Sequence, residues 1–284
     1  MNNNIFKELK FKIFQSGNPL FFYIGINVIL FIVPALISIF CLLGGIKFNI
    51  YDWMSDYLAL PAAVSALPTH FYTIITYMFF HAGFLHLLFN MLGLFWFGNI
   101  FMNFLKARQF HFVYLAGGMA GAIFYIAAFN LFPFFASSVN SAVLIGASAA
   151  VMAIIVGTAT LVPNYAIFLM FFGEVKIKYL AIAYVILDII GITSFNAGGS
   201  LAHLGGALLG FVFIKSLQSG KDWSKIFERK PKLKVVRNEQ PVKKAEFKGV
   251  SQQEIDAILD KISTSGYDKL SPVEKEKLFK ASKD

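Results

Sequence analysis

The chain has 284 residues, 57% hydrophobic and only 14% charged, against roughly 25% charged in an average soluble domain, so an ordinary soluble globular protein is excluded. A lone cysteine, Cys41, lies inside an apolar run, which excludes a disulfide framework and a Cys-based zinc site. The formal net charge of +9 is concentrated after residue 214 and is not spread along the chain.

The N-terminal stretch MNNNIFKELKFKIF lacks the short apolar core and small-residue cleavage site of a secretory signal. Residues 1–19 are therefore expected to be a cytoplasmic segment of the mature protein. Crossing a hydrocarbon core of about 30 Å takes about 20 mostly apolar residues. On that ruler six spans are predicted, at 20–45, 73–101, 110–131, 146–162, 177–192 and 200–215. The 46–72 connection is semi-apolar, with Trp53 and two prolines, and is expected to lie in the outer interface. Span two is expected to break at Ala82-Gly83 before a regular helix from Phe84. Between spans four and five, NYAIFLMFFG would reach only about half way across and is assigned to an interfacial or re-entrant segment. Residues 20–215 thus form the membrane domain, and the basic, Pro-containing stretch 216–249 reads as a cytoplasmic linker near anionic lipid. Residues 250–284 read as a helical hairpin, with Ser251/Glu254 and Ser271/Glu274 as capping boxes.

Lysines and arginines set the orientation. Lys7, Lys10 and Lys12 precede span one, Lys106 and Arg108 lie between spans two and three, Lys176 and Lys178 lie at the connection between spans four and five, and the tail is basic. The opposite connections carry only Lys47. Both termini are expected in the cytoplasm, with spans two, four and six running from outside to inside. A bacterial inner (plasma) membrane is the expected location.

Polar side chains at membrane depth raise a functional hypothesis by default. Three sets occur, each near the start of an outside-to-inside span: His81, His86 and Asn90 in FFHAGFLHLLFN, Ser148 in GASA, and His203 in GGSLAHLGGALLG. Shared direction gives the three starts one depth. Helix six carries Ala202, Gly206 and Gly210 four apart, and helix four carries Ala149, Ala153 and Gly157 at the same spacing. Two such smooth faces permit close backbone approach and bring Ser148 towards His203. A serine becomes nucleophilic when a base takes its proton, so Ser148 is the candidate nucleophile and His203 the candidate base. His86 and Asn90 share one helix face and, with the backbone N–H groups opening span four, can stabilise an oxyanion. An acid–base–nucleophile triad finds little support, because Asp52 and Asp56 lie in the outer loop and Asp188 in span five; a Ser–His dyad is expected. Taken singly, Ser148 reads as helix packing, His203 as a structural hydrogen bond as readily as a catalytic base, and His81 as a cap on the break. His70 and His111 sit near span ends and receive no role. A zinc site from His81, His86 and His203 lacks an HExxH pairing or an acidic ligand.

These segments resemble a known family. HAGFLHLLFN is similar to the HxxxxHxxxN element of the rhomboid intramembrane serine proteases, IGASA to their GxSx motif, and AHLGGALLG to their AHxxGxxxG element. The resemblance covers about residues 15 to 215. It implies an all-α, six-transmembrane-helix bundle, here with a small cytoplasmic helical extension. It implies Ser148 as nucleophile, His203 as general base and His86 with Asn90 at the oxyanion; Gly146 and Ala147 are counted with the oxyanion and substrate-binding residues. The family cleaves transmembrane segments of other proteins near their outer ends, and no cofactor is expected. Three features depart from the family pattern: Ala149 replaces a frequent glycine after the serine, Met152 replaces a frequent aromatic one turn on, and the 46–72 loop lacks the Trp-Arg pair.

The expected partners are transmembrane protein substrates and the lipid bilayer, not nucleic acid. The hairpin would either recruit a cytoplasmic partner or cap the membrane domain. Two other readings remain: a catalytically silent rhomboid-like protein that binds membrane clients, and a small transporter. Intact Ser148 and His203 argue against the first; the second favours ionisable groups deeper in the spans, where Asp188 alone qualifies.

Overall fold

Asn18 and Pro19 begin the first long helix, α1 (Pro19–Leu43): the Asn18 side chain accepts from the Leu20 N–H at 2.9 Å, and the proline occupies a first-turn position that needs no N–H. The computed structural model describes residues 4–170, 172–194, 196–227 and 251–282, and is mostly helical. Two compact units divide the chain, Met1–Arg229 and Lys230–Asp284.

In the first unit, α1 is followed by α2 (Ile50–Tyr57), capped by Asn49, and by a two-residue strand β1 (Leu60–Pro61). Single helical turns at Thr73–Thr76 and Tyr77–Phe79 then give way to extended backbone before α3 (Phe84–Phe104). The expected break at Ala82-Gly83 is present. Next come α4 (Ala107–Leu131), strand β2 (Val143–Leu144) and α5 (Ser148–Leu161). A hairpin of β3 (Ala166–Leu169) and β4 (Gly173–Lys176) leads into α6 (Ile177–Gly191) and α7 (Ala197–Gln218). NYAIFLMFFG, read as an interfacial or re-entrant segment, contributes the first strand of this hairpin. Its Ala166–Leu169 pairs with Gly173–Lys176, which satisfies backbone groups that an apolar stretch would otherwise leave open. The two short β ladders also qualify the all-α expectation.

Among the described residues four helices, α1, α3, α4 and α7, are long and apolar enough to cross a membrane. Helices stand at all six predicted positions, but α5 has 14 residues and α6 has 15, about 21–23 Å at 1.5 Å per residue. α5 buries ten of its 14 residues against α3, α4, α6 and α7, so the length rule for a lipid-facing helix does not govern it.

Small residues make that burial possible. A side-chain carbon at Gly206 of α7 would strike the Ala149 carbonyl oxygen of α5, and one at Gly210 would strike that of Ala153. These are the faces read from the sequence. α4 adds a third: a Cβ on Gly117 would strike the Ala153 methyl, and one on Gly121 would sit 2.5 Å from the Ala149 methyl and 2.8 Å from the Ala202 carbonyl oxygen. Close backbone contact of this kind supplies packing where no hydrophobic force acts between helices. At the far end, Arg108 in the first turn of α4 pairs with Asp222, just beyond α7, at 2.8 Å. Burial pushes the Asp222 carboxyl up, but hydrogen bonds from Ser224 and Arg108 outweigh it and hold the group below its ordinary value. The segment read as linker from residue 216 thus opens with the end of α7 and a helical turn, Trp223–Phe227; residues 228–250 lie outside the described residues.

The second unit contains α8 (Gln252–Ser265) and α9 (Pro272–Ala281). Both carry the capping boxes read from the sequence. Lys261–Glu274 at 2.8 Å and Lys277–Glu254 at 2.6 Å cross between the helices.

Candidate active site

The approach to α5 determines the geometry of the site. β1 pairs antiparallel with β2, Leu60 opposite Leu144 and Pro61 opposite Val143. The chain leaves β2 for Gly146, whose N–H donates to the Tyr77 carbonyl oxygen at 2.9 Å. Tyr77 is itself held by its hydroxyl, which donates to the Gly118 carbonyl oxygen of α4 at 2.7 Å. Gly146 has φ +130°, a conformation other residues rarely adopt, and a Cβ there would lie 2.8 Å from His86 Nε2 and 3.7 Å from Ser148 Oγ. The glycine is needed on both counts. The Ala147 N–H donates to His81 Nε2 at 3.5 Å, and the His81 ring stands edge-on to His86 with centroids 5.1 Å apart. His81 therefore braces the turn before the serine as well as lying at the break.

Ser148 is the first residue of α5, where its backbone N–H has no partner within the helix. Its side chain shares a cavity of about 310 Å³ with His86 and Asn90 of α3 and His203 of α7. Ser148, His86 and His203, half-buried, and Asn90, buried, are thus brought together from three helices. Ser148 and His203 line the cavity without a hydrogen bond between them among the described residues. Asn90 spends one amide N–H on the His86 carbonyl oxygen at 2.8 Å, which leaves the other. Gly146 and Ala147 line no part of the cavity and have both backbone N–H groups committed, so they shape the turn. Met152, one turn below the serine, lines the cavity where the family often has a ring, and the Ala149 methyl faces Gly121. His111 bonds Tyr23 across α4 and α1 at 3.0 Å, and His70 bonds Thr69, both away from the cavity. No cluster of three His, Cys, Asp or Glu with metal-holding geometry occurs among the described residues.

One contact contradicts the sequence reading. Asp188 of α6 lies 2.7 Å from His203 Nδ1, with its side chain 10% exposed. A place in span five does not keep the carboxylate from the site. Span five runs opposite to spans four and six, so its last turns, not its first, share the level of His203. Tyr184 and Asn196 also line the cavity, and nothing in their spacing had marked them.

A model of the rhomboid domain matches residues 68–218. The chain belongs to the rhomboid family. The match takes in every candidate residue of this rhomboid site. A RHOMBOID-like protein 12, mitochondrial, of Arabidopsis thaliana is 33% identical over 161 residues, 53% of this chain and 47% of the relative. The rhomboid chain thus spans about half the length of that relative. Residues 245–284 match a separate family of unknown function, DUF6576.

Proposed function

We propose that this rhomboid is an intramembrane serine endopeptidase that cleaves transmembrane segments of other proteins. The observation that carries the reading is the single cavity lined by Ser148 and His203 together with His86 and Asn90. In this reading all six helices, α5 and α6 included, cross the bilayer, with both termini on the cytoplasmic side of a bacterial-type inner membrane, as the lysine and arginine asymmetry supports.

Ser148 Oγ attacks the scissile carbonyl while His203 takes its proton; the hydrogen bond between them closes when substrate orders the site. The oxyanion is held by the Ser148 N–H, the positive end of α5, His86 and the free amide N–H of Asn90. His203 then protonates the leaving amine, and water, activated by the same imidazole, hydrolyses the acyl-enzyme. No cofactor takes part.

Cleavage of a model transmembrane substrate by purified protein in lipid tests this, with Ser148→Ala and His203→Ala beside wild type. Cleavage lost in both variants, with folding retained, is the expected result. No cleavage by wild type on several substrates with small residues at the cut would favour the silent client-binding reading.

A further inference from the structure

α6 buries a narrow stripe, Ile177, Ala181 and Asp188, while Ile182, Ile186, Leu187, Ile189 and Ile190 are exposed. One polar residue thus stands in the buried stripe of a mostly apolar helix. Its Oδ1 bonds His203 Nδ1 at 2.7 Å, and its Oδ2 is buried with no partner among the described residues. Burying a carboxylate is costly, and an apolar pair of similar volume would hold α6 to α7 at least as well. Helix packing does not explain it.

We propose that Asp188 is a positioning residue for the reaction, a third member acting through His203; the inference rests on the protease reading above. A carboxylate can only accept, so the bond places the proton on His203 Nδ1 and leaves Nε2 with the lone pair that a base needs. It also fixes the ring about its χ angles, and it favours the imidazolium formed when Ser148 gives up its proton. Because Asp188 sits on α6, which also contributes Tyr184 to the cavity, the histidine is set correctly only while α6 is seated against α7. A substrate that displaced α6 to enter would therefore find the base reset once the helix returned.

The test compares wild type with Asp188→Asn, Asp188→Glu and Ser148→Ala in lipid. Two readouts are taken: kcat and KM for a transmembrane substrate, and the His203 ring tautomer by 15N NMR, assigned with His203→Gln. Wild type should show the Nδ1–H tautomer. Asp188→Asn should lower kcat about 10–10³-fold with KM within about twofold, and shift the tautomer. Asp188→Glu, which keeps an accepting carboxylate, should recover part of kcat and retain the tautomer. An Asn variant with wild-type kcat and tautomer would overturn the proposal. So would equal losses in Asn and Glu with the tautomer unchanged, since the carboxylate would then only hold helices together. Substrate cleavage surviving in Ser148→Ala overturns the protease reading instead, and the tautomer still decides the role of Asp188.

Discussion

Ser148 follows two residues whose backbone N–H groups are already spent, Gly146 on Tyr77 and Ala147 on His81, so the first donor free to meet a substrate oxygen is its own. The turn tolerates little change. Gly146→Ala adds about 1–3 kcal/mol of backbone strain and drives a methyl into the His86 ring. Its kcat/KM should fall well over about tenfold while the helices remain folded, which a cleavage assay beside circular dichroism would establish. In the protease reading Asn90→Ala removes one oxyanion donor, and kcat should fall by about 10²–10³-fold with little change in KM. A change confined to KM would place Asn90 in substrate binding alone.

At the scale of elements, the site depends on how closely α5 can be enclosed. Gly206→Leu forces α7 away from the Ala149 carbonyl and should cost about 1–3 kcal/mol or more of stability, read as a lower unfolding midpoint in detergent. Tyr77→Phe strips the hydrogen bond from the buried Gly118 carbonyl and should cost about 1–3 kcal/mol by the same measurement. Much of this packing was legible in the sequence. Ala149, Ala153, Gly206 and Gly210 repeat at helical spacing, and the faces they form meet as that spacing implies. The third face, Gly117 and Gly121 of α4, carries the same signal but no catalytic residue drew attention to it. The β1–β2 pairing that aims the chain at Ser148 had no local signature, because two-residue strands 83 positions apart leave no periodicity to read. Asp188 illustrates a different limit: its contact with His203 depends on the relative direction of two helices and on the depth at which each ends, not on spacing within either.

At the scale of the whole molecule, the two units answer to different physics. The membrane unit is held by close apolar packing, whereas the helical hairpin buries only a few apolar side chains, Ile258 and Leu270 among them, and adds exposed ion pairs and caps. In the hairpin, the hydrogen bond from Lys261 and then that from the Ser271 N–H bring the Glu274 carboxyl from its ordinary 4.5 down to about 2. A carboxyl lowered on folding contributes stability that is present above its unfolded value and lost as pH falls through the folded one. Protection of residues 252–281 from hydrogen exchange in the full chain, corrected for intrinsic rates, should therefore fall between about pH 4.5 and 2. Lys261→Ala should flatten that dependence. The membrane unit contains a rhomboid domain in which Ser148, His86, Asn90 and His203 line one cavity, and the proposed function requires Ser148 to be a nucleophile activated by His203. A fluorophosphonate reports this directly, since attack by an activated serine oxygen at phosphorus expels fluoride and leaves a stable adduct. The measurement is mass spectrometry of the labelled, lipid-embedded protein. One adduct is expected, on Ser148, abolished in His203→Ala; an adduct elsewhere, or labelling of Ser148 undiminished without His203, would rule out Ser148 as a nucleophile activated by His203.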